Sequence, residues 1–362
     1  MKVILESSSL FFKNYTGIPF YILNLYNAMS QKDMVDPILG FRFKKFFTSK
    51  NEQQKALLKN KHVWHMGKAV VGTQNAAVAH SLHTPFLDLK KSVKVATVHD
   101  FAVHLPQFEK YEFANDYFKK KRFKLFQEFN QKADAIIAVS QATKNDFLSF
   151  FDFPEANVHV VPLAPTFKTN FLNNDQVKNQ LNRLGLETKG YFISVGGLSL
   201  RKNSFNLVKA YSQSKSKKDY KLVITGKIEE AHSQEVFEFI AKQKLESQIL
   251  ITNYIPNETL EALYHNAKAF LFPTFYEGFG IPILEAMAAK LPVLTSITGA
   301  APQTAGGHAI LVDPFDPESI AQGIDGLENV NSSDLEQAKQ FAERFSWQRT
   351  ASETVKIYEK YM

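Results

Sequence analysis

Two glutamates, Glu277 and Glu285, stand eight residues apart in a segment that also carries the glycines Gly278 and Gly280. Carboxylates at this spacing can accept hydrogen bonds from the hydroxyl groups of one ligand. The alternative is a solvated loop acid followed by a surface helix residue, which is the ordinary situation of a glutamate. The glycines favour a binding role, because they allow the backbone to approach a ligand more closely than any other residue does.

The elements around this segment would place both carboxylates at one edge of a parallel sheet. The apolar run 269–273 predicts a buried strand. A helix is predicted over 282–290, since it starts with a proline, which is well tolerated at the first helical position. Glu277 would then lie in the strand-to-helix loop and Glu285 in about the second helical turn. Open α/β sheets bind ligands at this edge.

A second pair of charged residues, Arg201 and Lys202, follows a predicted strand over 191–195 and a Gly196-Gly197 turn. A helix is predicted to begin shortly after them, over 204–211. Cations before a helix N-terminus suit a diphosphate, because Arg binds phosphate oxygens in a bidentate manner, Lys adds a point charge and the helix dipole is favourable. A dibasic pair on an ordinary surface is the alternative.

Two positions in the N-terminal half are further candidates for ligand contact. His99 follows a predicted buried strand over 94–98, and Asp100 beside it would orient the ring or balance its charge. A core histidine bonded to the backbone is the alternative for a lone His. Gly17 precedes a helix predicted over 19–29, where the helix N-terminus can receive an anion or a sugar.

Composition limits the classes of protein to consider. The chain has 362 residues, which suggests two domains of roughly 150–200 residues each. It has no cysteine, so disulfides and cysteine-based metal or nucleophile chemistry are excluded. No apolar run reaches the roughly 18 residues of a spanning helix. The apolar segment 1–5 is too short for a signal peptide and predicts a first strand. We therefore expect a cytoplasmic protein.

The net charge of +7 is uneven, because cations mix with aromatic residues in 41–47 and again in 119–124, within a helix predicted over 109–132. Such mixtures suit an anionic lipid surface or single-stranded nucleic acid. They also fit a solvated basic face whose phenylalanines pack inward, since the chain has 32 Phe residues. Peripheral contact with the inner face of a membrane is therefore one hypothesis, and a solvated face is its alternative.

The Glu-Gly-Phe-Gly of residues 277–280, with the Glu-Ala of 285–286, resembles the C-terminal signature of the retaining GT-B glycosyltransferases of family 4. The likeness runs in order over most of the chain and is best over 191–314. It implies an α/β protein of the GT-B fold, with two Rossmann-like doubly wound parallel-sheet domains facing a central cleft. The implied domains are residues 1–166, on the acceptor side, and residues 167–346, which bind the nucleotide sugar. The last helix, 347–362, would pack back on the first domain.

The resemblance also implies a reaction, the retaining transfer of a hexosyl unit from a nucleoside diphosphate sugar, GDP- or UDP-linked, to a glycan or lipid-linked acceptor. His99 and Glu277 are the implied catalytic residues, with Glu277 near the donor sugar, His99 on sugar hydroxyls and Glu285 on the ribose. The His99-Asp100 region resembles mannosyltransferase-like members, so mannose is the first donor sugar to consider. The implied substrate-binding residues are Gly17, Gly197, Arg201, Lys202, Gly278, Phe279, Gly280 and Glu285.

The same resemblance sets the expectations about cofactors. Arg201, Lys202 and helix amides would stabilise the leaving diphosphate, so neither a metal nor another cofactor is expected. The sequence has no Asp-x-Asp, and no pair of acids can be assigned as nucleophile and general acid, which fits the front-face mechanism usually described for the family. One position departs from the family pattern, because Gln303 stands where an acid commonly follows the proline.

Two other classes of protein remain as alternatives. A hydrogen-transfer enzyme or a nucleotide-sugar epimerase on a similar double sheet is the closer one, but no Gly-x-Gly-x-x-Gly follows a strand. A basic nucleic-acid-binding protein would account for the charge, but the sequence carries none of the usual recognition modules, so nucleic acid is not an expected partner.

Overall fold

The computed structural model of the chain describes residues 1–11, 17–31, 35–47, 52–70, 75–89, 91–111, 113–166 and 174–362. The chain divides into two compact units. The first comprises residues 1–104, 114–164 and 345–362, and the second comprises residues 105–113 and 165–344. The division therefore falls after Ala164 rather than after residue 166, and a short segment of the N-terminal half groups with the second unit.

The first unit is built on a mostly parallel sheet. Its strands are β1 (Lys2–Glu6), β2 (Asp36–Arg42), β3 (His62–Met66), β4 (Ala69–Val70), β5 (Val78–Ser81), β6 (Val93–Val98), β7 (Ala135–Ala138) and β8 (Val158–Val160). They lie in the order β4-β3-β2-β1-β5-β6-β7-β8, and of these pairs β3 with β4 is antiparallel. The helices that connect them are α1 (Ile18–Gln31), α2 (Glu52–Leu57), α3 (Asp116–Lys132) and α4 (Gln141–Phe150).

The second unit holds a parallel sheet with helices between successive strands. Its strands are β9 (Tyr191–Val195), β10 (Lys221–Thr225), β11 (Ile249–Thr252), β12 (Ala269–Phe272), β13 (Val293–Ser296) and β14 (Ile310–Val312), in the order β11-β10-β9-β12-β13-β14. Its helices are α5 (Asn174–Arg183), α6 (Ser204–Gln213), α7 (Glu230–Gln243), α8 (Asn257–Asn266), α9 (Ile281–Ala288), α10 (Ala301–Ala305), α11 (Pro317–Gly326) and α12 (Ser332–Ala342). The central strands are apolar and buried almost throughout, as expected of parallel strands covered on both faces.

The C-terminal helix α13 (Trp347–Tyr361) belongs to the first unit, where it packs on α1. Ser346 caps it, because its side chain accepts a hydrogen bond from the Arg349 N–H. The Thr350 hydroxyl donates to the Pro162 carbonyl at 2.7 Å. The chain thus returns to its N-terminal sheet after the second unit is complete.

The prediction of a single helix over 109–132 was wrong about its N-terminal boundary. α3 begins at Asp116, because the Asn115 side chain accepts a hydrogen bond from the Phe118 N–H and ends the preceding segment. The residues before it form a short 3-10 helix, Pro106–Tyr111, in the second unit. There its aromatic rings have partners, with Tyr111 4.5 Å from Phe275 between ring centroids.

Candidate active site

The two charged motifs of the second unit meet because their strands are neighbours. β9 and β12 pair in parallel although about 75 residues separate them along the chain. From β9 the chain continues to β10 on one side, and from β12 it continues to β13 on the other. The loops after the two strands therefore diverge at the edge where α/β sheets of this kind bind ligands.

At this edge, Arg201, Lys202 and Glu277 form an ion cluster. Lys202 Nζ lies 2.7 Å from Glu277 Oε1, and Arg201 Nη1 lies 3.5 Å from Glu277 Oε2. Arg201 Nη1 also donates to the Tyr276 carbonyl at 3.1 Å, and Lys202 Nζ lies 4.7 Å from the centroid of the Phe272 ring. The side chain of Glu277 is 9% exposed, whereas those of Lys202 and Arg201 are 18% and 33% exposed. The carboxylate is covered and the two cations still face solvent, so the cluster can receive an anion.

The two glycines before the cations are required by contacts within the protein. Gly197 has φ +70°, and a Cβ there would lie 1.9 Å from the Lys227 carbonyl oxygen. A Cβ on Gly196 would lie 2.7 Å from Lys202 Cγ, so this glycine leaves room for the lysine side chain. The family resemblance implied Gly197 as a substrate-binding residue, but contacts within the protein already require glycine there. Gly196, absent from the predicted site, is the glycine that places a cation.

The backbone around Glu277 is held by the loop that follows β13. The Ala300 N–H donates to the Glu277 carbonyl at 2.9 Å, and a Cβ on Gly299 would lie 2.7 Å from that oxygen. Gln303, where the family commonly has an acid, is exposed. This loop therefore supports the carboxylate through main-chain contacts.

Gly278, Phe279 and Gly280 lead from Glu277 into α9. All three are buried, and Gly280 has φ +96° directly before the helix, a conformation that favours glycine. The Phe279 carbonyl accepts a hydrogen bond from the Thr304 hydroxyl. The glycines thus set the sharp turn between the carboxylate and the helix.

Glu285 lies on α9 and is 6% exposed. Its Oε1 accepts hydrogen bonds from the Thr166 N–H, at 3.2 Å, and from the Thr166 hydroxyl. Burial raises the pKa of Glu285, the Thr166 hydrogen bonds oppose that rise, and the Glu261 carboxylate adds to it. Sequence reasoning missed Thr166, because the contact joins residues 119 positions apart.

Asn203, directly after the two cations, is another residue of the site, although it was not among the predicted site residues. It is 2% exposed with φ +58°, and its Nδ2 donates to the Pro273 carbonyl at 2.8 Å and to the Pro314 carbonyl at 2.7 Å. It therefore ties the loop of the cations to the end of β12. The available signal is its residue type, because Asn adopts left-handed backbone more readily than other non-glycine residues.

In the first unit, His99 follows β6 as predicted. The orientation of its imidazole ring determines which ring nitrogen carries the hydrogen. Nε2 lies 3.0 Å from the Leu82 carbonyl oxygen, which can only accept, so Nε2 carries the hydrogen. Burial, with the Arg122 guanidinium as a second cause, lowers the pKa of His99 to about 4. The ring is thus neutral near pH 7 and leaves Nδ1 as a hydrogen-bond acceptor.

The carboxylate of Asp100 pairs with Arg122, and it acts on His99 through its charge, which raises the pKa of that ring. Its carboxylate lies 3.7 Å from Arg122 Nη2, and the same nitrogen donates to the Asp100 carbonyl at 3.4 Å. Asp100 therefore balances Arg122. The imidazole of His99 is held instead by Leu82 and by Tyr21, whose ring meets it edge-on at 4.9 Å between centroids.

Tyr21 is itself fixed by a buried chain of hydrogen bonds that reaches the C-terminal helix. Its hydroxyl lies 3.1 Å from Thr97 Oγ1, which lies 2.8 Å from His80 Nε2. His80 Nδ1 lies 2.6 Å from the Tyr358 hydroxyl on α13. Burial lowers the pKa of His80 to about 3, so this ring is also neutral. The side of the His99 ring that faces α1 is therefore rigidly packed.

Gly17 lies directly before α1, as predicted, with φ +50°. Its carbonyl accepts the Tyr21 N–H at 3.0 Å, and it is exposed. Thr16, the residue before it, lies outside the described residues. In the part of the chain that the structure describes, no group of three or more His, Asp or Glu residues is placed to hold a metal ion.

Comparison with known proteins gives two family matches that follow each other along the chain. Residues 62–164 match the family described as Glycosyltransferase Family 4, and residues 176–345 match Glycosyl transferases group 1. The chain belongs to the family 4 glycosyltransferases. Together the two matches cover about three quarters of the sequence.

Similar curated proteins include mannosyltransferases. The O-antigen chain mannosyltransferase B of Escherichia coli is 26% identical over 273 residues, which cover 73% of this chain and 69% of the relative. The MMP alpha-(1->4)-mannosyltransferase of Mycolicibacterium hassiacum is 27% identical over 232 residues, covering 62% of this chain and 54% of the relative. The matched regions thus span between about half and about two thirds of these relatives' own length.

The solved structures agree with the predicted fold. The structure of Anabaena HepE in complex with UDP and glucose has a TM-score of 0.71 and 16% identity, and the match covers 98% of both chains. Similarity at this level of identity shows the fold. This family 4 glycosyltransferase therefore has the predicted GT-B fold, with a mostly parallel α/β sheet in the first unit and a parallel one in the second.

Proposed function

We propose that the chain transfers a hexosyl unit, with retention of configuration, from a GDP- or UDP-linked sugar to a glycan or lipid-linked acceptor. The observation that carries this proposal is the cluster of Arg201, Lys202 and Glu277 at the ends of β9 and β12. Two partly exposed cations in front of α6 provide the charge that a diphosphate leaving group needs. Relatives named as mannosyltransferases support mannose as the transferred sugar.

In this proposal each site residue has a separate role. Arg201 and Lys202 bind the diphosphate, Glu285 accepts ribose hydroxyls and Glu277 accepts a hydroxyl of the donor sugar. His99 accepts a sugar hydroxyl at Nδ1, because its Nε2–H is already bonded to Leu82. A neutral imidazole adds no positive charge next to an oxocarbenium-like transition state, which fits this role.

The proposal is tested by incubating the protein with a panel of UDP- and GDP-sugars, with and without acceptor extracts. A transferase releases the nucleoside diphosphate and forms a glycoside whose anomeric configuration, read by NMR, is that of the donor. An epimerase would instead return a changed nucleotide sugar with no release of diphosphate. Inversion at the anomeric carbon would contradict retention.

Transfer is expected to continue in EDTA at a rate within about twofold of the untreated enzyme. The reason is that two cations and the N-terminal dipole of α6 are proposed to carry the charge of the leaving group. The measurement is the initial rate before and after chelation, with added Mg²⁺ or Mn²⁺ as the comparison. Loss of activity that either ion restores would show that a metal does this work.

We further propose that the first unit contacts an anionic membrane surface, which would bring it to a lipid-linked acceptor. Phe46 and Phe47 are 52% and 75% exposed, and Lys44 between Phe43 and these rings is also exposed. Phe41 lies buried in β2, so the proposed membrane contact of 41–47 is limited to the residues after that strand.

The second basic segment, 119–124, is also only partly exposed. Arg122 is buried against Asp100, which leaves Lys120, Lys121 and Lys124 as its exposed cations. Among the described residues, no helix is both long and apolar enough to cross a bilayer.

Replacing Lys44 and Lys45 by Glu is expected to weaken binding to anionic liposomes at least about tenfold, since each cation near such a surface contributes about 1 kcal/mol. Sedimentation with vesicles of increasing anionic lipid content measures this, and high salt should reduce wild-type binding. Lys218→Glu with Lys242→Glu makes the same change of charge on the second unit and serves as the control. Equal sedimentation of the wild type and the Lys44 and Lys45 variant would refute the membrane contact of this segment.

A further inference from the structure

Among the described residues, the hydrogen-bond donors to the carboxylate of Glu285 meet one of its two oxygens. The Thr166 N–H and the Thr166 hydroxyl both donate to Oε1. No described residue donates to Oε2, and this atom is not among the buried polar atoms that lack a partner. Within the described part of the chain, Oε1 is thus used inside the protein, and Oε2 is the oxygen available to a ligand.

This asymmetry changes how the glutamate can recognise a ribose. A carboxylate with two unoccupied oxygens could accept one ribose hydroxyl at each of them. With Oε1 held by Thr166, both hydroxyls have to meet Oε2, which has two lone pairs and can accept from both. Such recognition needs the carboxylate plane to be fixed, and the two donors of Thr166 fix it.

The surroundings of Glu285 favour its protonated form, and the Thr166 donors oppose that effect. Glu261 on α8 is a like charge that favours the protonated form of Glu285, as burial does. Tyr264, on the same helix, is fully buried, and its own pKa is raised by burial and by Glu285. The Thr166 hydrogen bonds are the contacts in this set that stabilise the ionised carboxylate.

We propose that Thr166 is a positioning residue for the donor ribose: it holds Oε1 of Glu285 so that Oε2 accepts the 2′- and 3′-hydroxyls of the nucleoside diphosphate. The inference rests on the proposed function, because it assumes that Glu285 meets a ribose. It adds a residue of the second unit, two positions after the division at Ala164. Thr166 itself does not touch the ligand in this arrangement.

The test compares each nucleoside diphosphate with its 2′-deoxy analogue. Calorimetry gives both dissociation constants, and their ratio isolates the ribose contact from the diphosphate contact. In Thr166→Val, which keeps the shape but removes the hydroxyl donor, the preference for the ribonucleotide is expected to fall by about tenfold. Affinity for the 2′-deoxy analogue should change by less than about twofold.

Two further variants separate positioning from a general loss of stability. Thr166→Ser keeps the hydroxyl and should keep the wild-type ratio. Thr354→Val removes another buried threonine hydroxyl, which bonds the Thr350 carbonyl at 2.7 Å in α13, and should leave the ratio unchanged. A thermal melt of each variant verifies that the protein is folded.

The pH dependence of the same ratio provides a second readout. Removing a hydrogen bond that favours the ionised form raises the pKa of Glu285 further, so the ribose preference of Thr166→Val should be lost at a higher pH than in the wild type. Phosphate ionisation affects both nucleotides and cancels in the ratio. A merely structural threonine would leave this midpoint in place.

The outcomes distinguish this inference from the function on which it rests. An unchanged ratio in folded Thr166→Val overturns the role of Thr166, while the diphosphate site stands. A wild-type protein that binds both nucleotides equally overturns ribose recognition by Glu285 and with it this inference. A wild-type protein that binds no nucleoside diphosphate overturns the proposed function as well.

Discussion

Replacing Lys202 by Ala is expected to weaken nucleoside diphosphate binding by about 10- to 100-fold and to reduce transfer at least as much. A charge-assisted hydrogen bond contributes about 1.5–3 kcal/mol, and about 1.4 kcal/mol corresponds to a factor of ten. The loss includes a second effect, because Glu277 would keep its charge without its nearest cation, 2.7 Å away. Arg201→Ala should behave in the same direction.

Calorimetric titration with UDP and GDP in EDTA measures this effect. Lys209→Ala, within α6, removes an equal charge outside the cluster and is the matched control. If Lys202→Ala and Arg201→Ala both keep wild-type affinity, the diphosphate does not bind at this site. A similar loss in the control would indicate only a general electrostatic effect.

Glu277→Gln is expected to affect binding and transfer in opposite directions. In the structure its carboxylate already pairs with both cations, so a diphosphate has to displace it or share them. The amide keeps an acceptor oxygen but loses the charge that repels the phosphates, so nucleoside diphosphate affinity should rise, by about tenfold. Transfer should fall by about 100-fold or more, because the proposed contact with the donor sugar is then weaker.

The two readouts are the dissociation constant of the bare nucleotide and the rate of transfer at saturating donor. Glu258→Gln, at an exposed position in the first turn of α8, removes the same charge away from the cluster. Weaker nucleotide binding in Glu277→Gln would mean that the carboxylate is needed mainly to hold the cations in place. Unchanged transfer would exclude Glu277 from the reaction.

Local patterns in the sequence identified the individual parts of this site well. The apolar runs that became β9 and β12, each followed by glycine and charge, predicted strand-loop-helix units at the correct places. The position of His99 after β6 followed from the same reasoning. Each of these features depends on residues that are close together along the chain, so a local pattern in one sequence is enough to predict it.

The contacts between these parts could not be predicted in the same way. The sequence assigned the cations to phosphate and Glu277 to sugar, and it did not foresee that they pair with each other. That pairing needs β9 and β12 to be neighbours, which is a property of the sheet order. The bonds from Thr166 to Glu285 and from Arg122 to Asp100 join residues 119 and 22 positions apart, and no local pattern records them.

A glycine in the sequence indicates a tight turn or a close backbone contact, but it does not show whether a ligand or another part of the protein makes that contact. The family resemblance implied that Gly197, next to the proposed phosphate site, binds substrate. The structure shows that the turn containing Lys227 occupies the space of a Cβ there. Only the packed structure distinguishes a glycine required by a neighbouring turn from one required by a ligand.

The central claim is that Arg201 and Lys202 hold the diphosphate of a nucleotide-sugar donor, and ³¹P NMR of UDP and GDP tests it most directly. With EDTA present, the β-phosphate resonance of at least one nucleotide should shift and broaden as wild-type protein is added. A folded protein carrying Arg201→Ala and Lys202→Ala should produce no such change at the same concentrations. An unperturbed β-phosphate with the wild type, or an equal perturbation with the double variant, would contradict the claim.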